Sequence, residues 1–96
     1  MTKLELAEQV SGDTGFSKEE CEIIITSLVG VLRKYIKMGT NIDVRGLGVF
    51  KRKLRKEKKG YDILRKKQVI IKEHYIPYFN FASDLKEEIQ NEGKEE

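Results

Sequence analysis

The chain is poor in the residues on which catalytic, metal-binding and disulfide-stapled domains are built. Its 96 residues include one cysteine, one histidine, one proline and no tryptophan. A lone Cys21 cannot close an intrachain disulfide, and its place in an apolar helical pattern marks a buried thiol rather than a reactive one. His74 has no Cys, Asp or Glu partners at ligand spacing, so it reads as a strand surface residue and no metal site is expected. No nucleophile–base pair is evident. Gly46-x-Gly48 joins two strands and does not open a helix, which removes the nucleotide-loop reading. No enzyme activity, cofactor or small-molecule substrate is therefore expected. No run approaches the ~18 apolar residues of a membrane span. Met1-Thr2-Lys3-Leu4-Glu5 carries charge where a signal peptide needs an apolar core, so a cytoplasmic protein without membrane association is expected.

What the chain does have is charge, unevenly placed. Residues Lys51 to Lys72 hold eleven Lys or Arg against two acids, a net +9, while the remaining residues hold 8 bases and 14 acids, a net −6. The overall +3 hides this polarity. A cationic cluster on one segment is the footprint of a surface for a phosphate backbone. A merely solvated face would not concentrate its bases in this way. With 39% hydrophobic and 36% charged residues, a chain of this length is one domain with a thin core, and sharing that core between subunits is a natural remedy.

Local signals give the order of elements. Thr2 with Glu5 and Ser17 with Glu20 have the capping-box spacing. A first helix is predicted over Lys3 to Ser11, with Leu4, Ala7 and Val10 along one side. Gly12-Asp13-Thr14-Gly15 reads as a turn, with Phe16 placed as a hydrophobic staple. A second helix is predicted from Lys18 to Met38, its Cys21, Ile24, Ile25, Leu28, Leu32, Tyr35 and Ile36 recurring at helical spacing and Gly39 closing it. Val29 and Val31 widen that stripe beyond what a short helix covers, which points to a partner subunit.

From Asn41 to Arg45 the period becomes two, as in a half-buried strand. Gly46-Leu47-Gly48 reverses the chain and Val49-Phe50 restarts it. Lys51, Lys53 and Arg55 then share one strand face, with Arg52 and Leu54 on the other. This stretch is too polar for a core, so it reads as a hairpin projecting into solvent, reversing near Gly60 to Leu64. The return strand passes through Val69-Ile70-Ile71 and Tyr75-Ile76, and Pro77 argues for an edge or a strand end. A final helix is predicted over Ser83 to Gln90, with Ser83 as N-cap and Leu85 and Ile89 inward. Asn91 to Glu96 reads as an acidic, flexible tail. The whole of 1–90 is one domain: a helical base over 1–39, sheet and arm over 41–81, and a helix over 83–90.

Four features in this order resemble the HU/integration-host-factor family of bacterial DNA-bending proteins. They are Gly15-Phe16-Ser17-Lys18, Gly46-Leu47-Gly48-Val49-Phe50, the length of the basic hairpin, and Pro77-Tyr78-Phe79 followed by Leu85-Lys86. The resemblance spans residues 1 to 90. It implies an α+β fold: an intertwined dimer with two N-terminal helices, a three-stranded antiparallel sheet with a protruding β-arm, and a short C-terminal helix. It further implies double-stranded DNA as partner, gripped in the minor groove by two arms. Phe50 and Phe79 would then lie in the shared core, and Lys3 and Lys86 near the flanks of the DNA. The dimer is expected to pair with itself, a paralogue being the other arrangement, and to be associated with the nucleoid.

The tip departs from the family pattern. Where relatives usually carry Arg-Asn-Pro, with the proline wedged between base pairs, this chain has Tyr61-Asp62-Ile63. Ile63 or the adjacent Leu64 is the replacement, since branched apolar side chains also serve as wedges. Asp62 would sit near phosphates and weaken contact there. Phe81-Ala82-Ser83 also stands where many members have Pro-Gly and a basic residue. The expected function is architectural binding of duplex DNA, largely indifferent to sequence, with bending or compaction. The residues expected to carry it are Lys53, Arg55, Lys58, Lys59, Tyr61, Ile63, Leu64, Arg65, Lys66 and Lys67, extended outward by Lys3, Lys72 and Lys86. The alternative is a dimeric interaction module of the same fold with weak or altered bending, binding RNA or acidic proteins.

Overall fold

The computed structural model describes residues 1–94. Two helices, α1 (Lys3–Thr14) and α2 (Lys18–Lys37), precede five strands, β1 (Ile42–Val44), β2 (Gly48–Arg55), β3 (Lys58–Asp62), β4 (Lys67–Ile71) and β5 (His74–Phe81), and a last helix, α3 (Ser83–Lys94). The hydroxyl half of each predicted capping box at the starts of α1 and α2 forms. The Thr2 hydroxyl accepts the Glu5 N–H at 3.2 Å and the Ser17 hydroxyl accepts that of Glu20 at 3.1 Å, each satisfying an orphan donor of a first helical turn. Helix α1 runs through Gly12 to Thr14, beyond the expected Ser11. The chain leaves the helix only at Gly15, whose φ of 86° supplies the left-handed residue that stops it. At the end of α2 the Gly39 N–H reaches the Ile36 carbonyl and the Thr40 N–H the Tyr35 carbonyl, both at 3.0 Å, the paired bonds of a Schellman stop.

The sheet is antiparallel in the order β1-β2-β5, with β3 and β4 forming a separate two-stranded ribbon. The projecting hairpin is thus two ladders in series. Arg55 pairs with His74 and Lys58 with Ile71, leaving Lys56-Glu57 and Lys72-Glu73 unpaired opposite one another. Between β1 and β2 the Leu47 N–H bonds to the Val44 carbonyl at 2.9 Å. Gly48, paired with Phe81, lies so close to β5 that a Cβ there would run into the Asn80 carbonyl oxygen and the Phe79 ring. Pro77 does not end its strand. It sits opposite Arg52 within β5, tolerated because β5 is the edge of the sheet and no ladder partner needs its missing N–H.

Two differences concern α3. Ser83 is its first helical residue rather than its cap, and the Ala82 carbonyl accepts the Lys86 N–H. The helix also continues through Lys94, taking in four residues of the expected flexible tail, because Gln90 and Glu92 are good helix formers and no proline intervenes. Residues 95 and 96 lie outside the described residues.

The chain buries little of itself. Among the described residues only Ala7 and Cys21 are fully buried hydrophobics, while Ile24 is 56% and Leu28 53% exposed on the stripe expected to face inward. Leu4, Val10 and Ile89 are likewise exposed. Phe50, Phe79 and Phe81 form one aromatic stack, successive centroids 4.5 Å apart, yet Phe81 remains half exposed. The accessible surface is 8511 Å², where a compact chain of this mass exposes about 5,700 Å². The radius of gyration is 19.2 Å, against about 12–13 Å for a compact chain of this length.

Candidate nucleic-acid interface

Strand pairing sorts the arm's cations onto faces. Residues directly opposite in a ladder share a face, and successive residues alternate. At the arm root, Lys51, Lys53 and Arg55 therefore lie with His74, Ile76, Tyr78 and Asn80 on one face, and Phe50, Arg52 and Leu54 with Tyr75, Pro77 and Phe79 on the other. The second face meets the helices. The first is open, and the Lys53 ammonium sits 4.0 Å from the centroid of the Tyr78 ring, held by the negative face of the π system. Lys86 joins this side from α3, its Nζ donating to Asn80 Oδ1 at 3.1 Å.

In the outer ribbon the bases occupy both faces. Lys58 and Lys67 share one with Gly60, Val69, Ile71 and Asp62, while Lys59 lies on the other with Tyr61, Gln68 and Ile70. Gly60 lies within the ribbon, where a Cβ would fall 3.0 Å from Ile71 Cδ1, a tight contact with the end of a flexible side chain. The chain reverses later than Gly60, over Ile63 to Lys66, with Asp62 paired to Lys67 across the closing turn.

Asp62 is the residue whose role changes most. Its Oδ1 accepts the N–H groups of Leu64 at 3.0 Å and Arg65 at 3.2 Å, an Asx-turn that shapes the tip. Its Oδ2 lies 3.7 Å from Arg65 Nε. The carboxylate is thus engaged within the turn, a structural role that its position in the sequence does not reveal. The turn is completed by Lys66 at φ 53°, a left-handed conformation that glycine or asparagine adopts at less cost. Ile63 and Leu64 are held at the apex, 80% and 95% exposed.

The remaining candidates scatter. Lys72 lies in the break between the two ladders, with its carbonyl 2.8 Å from His74 Nδ1. Lys3 is on α1 and donates to Thr26 Oγ1 of α2 at 3.1 Å, away from the arm. A cavity of about 450 Å³ beside the break is lined by Arg55, Lys56, Lys58, His74 and Ile76, so Lys56 joins the cationic surface with His74 beside it, although neither was among the candidates. Lys51 also belongs to it; its alternation with Lys53 and Arg55 was the available signal. Asn80 carried none, because only the register brings it beside Lys86. Among the described residues no group of His, Cys, Asp or Glu is arranged to hold a metal ion, and no helix is long and apolar enough to cross a membrane.

Fold and surface together define an α+β protein whose cationic two-stranded arm projects from a small helical base. The profile of the family described as "Bacterial DNA-binding protein" matches residues 1–90, and the chain belongs to that family. The family is one of architectural, non-enzymatic DNA-binding proteins. The chain is 26% identical over 90 residues to DNA-binding protein HU of Thermotoga maritima, covering 94% of this chain and all of that one. It is 30% identical over 90 residues to the integration host factor subunit beta of Mannheimia haemolytica, covering 93% and 97%. Among solved structures, an Anabaena HU–DNA cocrystal structure superposes with a TM-score of 0.87 at 20% identity, covering 93% of this chain and 97% of the other, which establishes an HU/integration-host-factor-like fold.

Proposed function

We propose that the protein is a homodimer that binds duplex DNA with little sequence preference and bends or compacts it, its arms lying in the minor groove. The observation that carries this reading is the outer ribbon, with cations on both faces and Ile63 and Leu64 bare at its apex. A ribbon flanked on both sides by phosphates needs positive charge on both sides, and the walls of a groove provide that setting. The superposition on a chain solved with DNA is consistent with it.

In this reading Lys53, Arg55, Lys58, Lys59, Arg65, Lys66 and Lys67 neutralise phosphates or line the groove, with Tyr61 beside them. Lys3, Lys72 and Lys86 extend the contact. Ile63 or Leu64 takes the place of a wedge between base pairs, where partial unstacking is exchanged for a bend that wraps more DNA around the protein. Keeping a lysine at the left-handed position 66 makes sense where its charge is used. No helix presents a basic face for reading base edges, so shape and groove width guide binding. Location with chromosomal DNA in the cytoplasm follows from this function.

A second copy of the chain is the natural cover for the helical base. Ile24, Leu28, Val31 and Tyr35 recur along one side of α2 and are all exposed. The surface in excess of a compact chain, roughly 2,800 Å² per chain with the projecting arm included, leaves room for the roughly 1,000–2,500 Å² that each partner of an obligate dimer buries. The interaction-module alternative drew on the missing tip proline and on Asp62 as a charge repelling phosphates; the Asp62 carboxylate is used in shaping the tip turn, which gives it a structural role beside that charge. Gel shifts with linear, nicked and four-way-junction DNA, with RNA as competitor and across several salt concentrations, test the reading. Binding to all three DNAs with steep salt dependence is expected; no duplex binding at low salt would overturn it.

A further inference from the structure

The arm's bases do not all face a ligand, and Arg52 is turned the other way. It lies opposite Pro77 on the face of Phe50 and Phe79. Its guanidinium carbon sits 4.2 Å from the centroid of the Tyr75 ring on β5. Its Nη1 donates to the Lys37 carbonyl, the last residue of α2, at 3.4 Å. It also rests over Gly39, where a Cβ would fall 2.6 Å from Nη2, so the residue that stops α2 also clears the space for this side chain. One planar cation therefore ties together the arm root and the carboxyl end of α2. That end is where unpaired carbonyls and the helix dipole favour positive charge. Arg33, Ile36 and Pro77 line the same cavity of about 460 Å³. Among the described residues this is the hydrogen bond that links α2 to the arm.

We propose that Arg52 is a positioning residue for DNA bending, a strut that sets the angle at which the arm leaves the helical body, and that it contacts no phosphate. The proposal rests on the DNA-binding reading above and adds to it a division of labour among the arm's bases. The ladder is interrupted beyond Arg55, so a force on the tip reaches the body only through β2 and β5. The strut grips both of these at their root, through Arg52 itself on β2 and Tyr75 on β5.

Arg52→Ala and Arg52→Lys are compared with the wild-type protein and with Lys58→Ala as a reference phosphate contact. A salt series gives the slope of log affinity against log salt, end-to-end energy transfer on a labelled duplex gives the bend, and ¹⁵N relaxation of the free protein gives the mobility of the arm root. Both Arg52 variants are expected to keep the wild-type salt slope, to bend the duplex less, and to lose affinity by about two- to fivefold, the equivalent of one exposed cation–π contact. Lysine should fail to rescue because it keeps the charge but neither the flat stack nor the fork. Lys58→Ala, which removes one phosphate contact from each of the dimer's two arms, should instead lower the slope by about 1.8. A slope lowered by that amount in Arg52→Ala, or a wild-type bend in Arg52→Lys, would overturn the proposal. If wild-type protein bound no duplex, the functional reading itself would fall, but the strut would still be decided by relaxation. Increased mobility of Lys53–Arg55 and Tyr75–Ile76 relative to α2 supports it, and unchanged mobility overturns it. Circular dichroism melting confirms that the variants fold, and Arg52→Lys serves as the milder substitution should alanine fail.

Discussion

The helical base and the arm are both unsatisfied in the single chain, for opposite reasons. The base holds few cations and presents apolar side chains of α1 and α2 to water, with only Ala7 and Cys21 fully covered. The arm has a complete backbone ladder on either side of one break, but its surface carries cations on both faces and its most exposed apolar side chains, Ile63 and Leu64, at the tip. An apolar deficit is met by another polypeptide, because burial of hydrocarbon is non-directional and scales with area. A charge excess is met by a polyanion, because each neutralised phosphate releases counterions. The two ends thus call for different partners, and substitutions in one should leave the other's partner largely untouched.

The sharpest way to test that separation is to break the base. Leu28→Asp places a carboxylate in the proposed subunit interface and should cost about 3 kcal/mol or more. Loss of the dimer in sedimentation and of helical circular dichroism at micromolar concentration is expected, while the wild-type melting temperature should rise with concentration. Next comes the arm's charge. Replacing Lys58, Lys59, Lys66 and Lys67 together with alanine removes eight cations from the dimer's two arms and should lower the salt slope of DNA binding by up to about 7, with the melting temperature nearly unchanged. An unaltered slope would mean that the arm is not the binding element. Smaller still is the tip. Ile63→Ser with Leu64→Ser should reduce bending in energy transfer while keeping the slope; equal bend angles would dispose of the wedge.

The smallest expected effect lies back in the base. Lys18 Nζ is 2.7 Å from Glu8 Oε1, and that hydrogen bond, then the carboxylate's charge, raises the lysine pKa above its ordinary 10.5. A raised folded pKa means that this contribution is complete below the unfolded value and is lost as pH rises through the folded one. Both groups are substantially exposed, so the effect is screened. Thermal melts of wild type and Glu8→Gln should differ slightly at neutral pH and converge above pH 10.5, with DNA binding the same in both.

Much of this organisation is legible in the residues. Thr2 and Ser17 announced both caps, the three- and four-residue spacing of α2 announced its stripe, and the alternation of Lys51, Lys53 and Arg55 announced their common face. Each is a local signal, carried by residues within one or two turns or a few strand positions of each other. The tip was placed too early because Gly60 looks like a turn residue, while it pairs with Val69 inside the ribbon and the chain reverses over Ile63 to Lys66. The turn-shaping role of Asp62 was not legible because it depends on two backbone partners that the fold alone brings to its carboxylate. The end of α3 was read as tail because acidic, polar sequence suits both helix and coil.

The sequence by itself determined the helices and their stops, the concentration of charge on one hairpin, and the family pattern over residues 1 to 90. Propensity, capping and composition act over short distances and do not depend on where the chain later goes. Tertiary structure alone decided the break between the two ladders, the sorting of the outer ribbon's lysines onto faces, the pairing of Asn80 with Lys86, and the engagement of Arg52 with Tyr75 and the end of α2. These depend on strand register and on contacts between residues far apart in the chain, where shifting the register by one residue would turn every side chain to the opposite face.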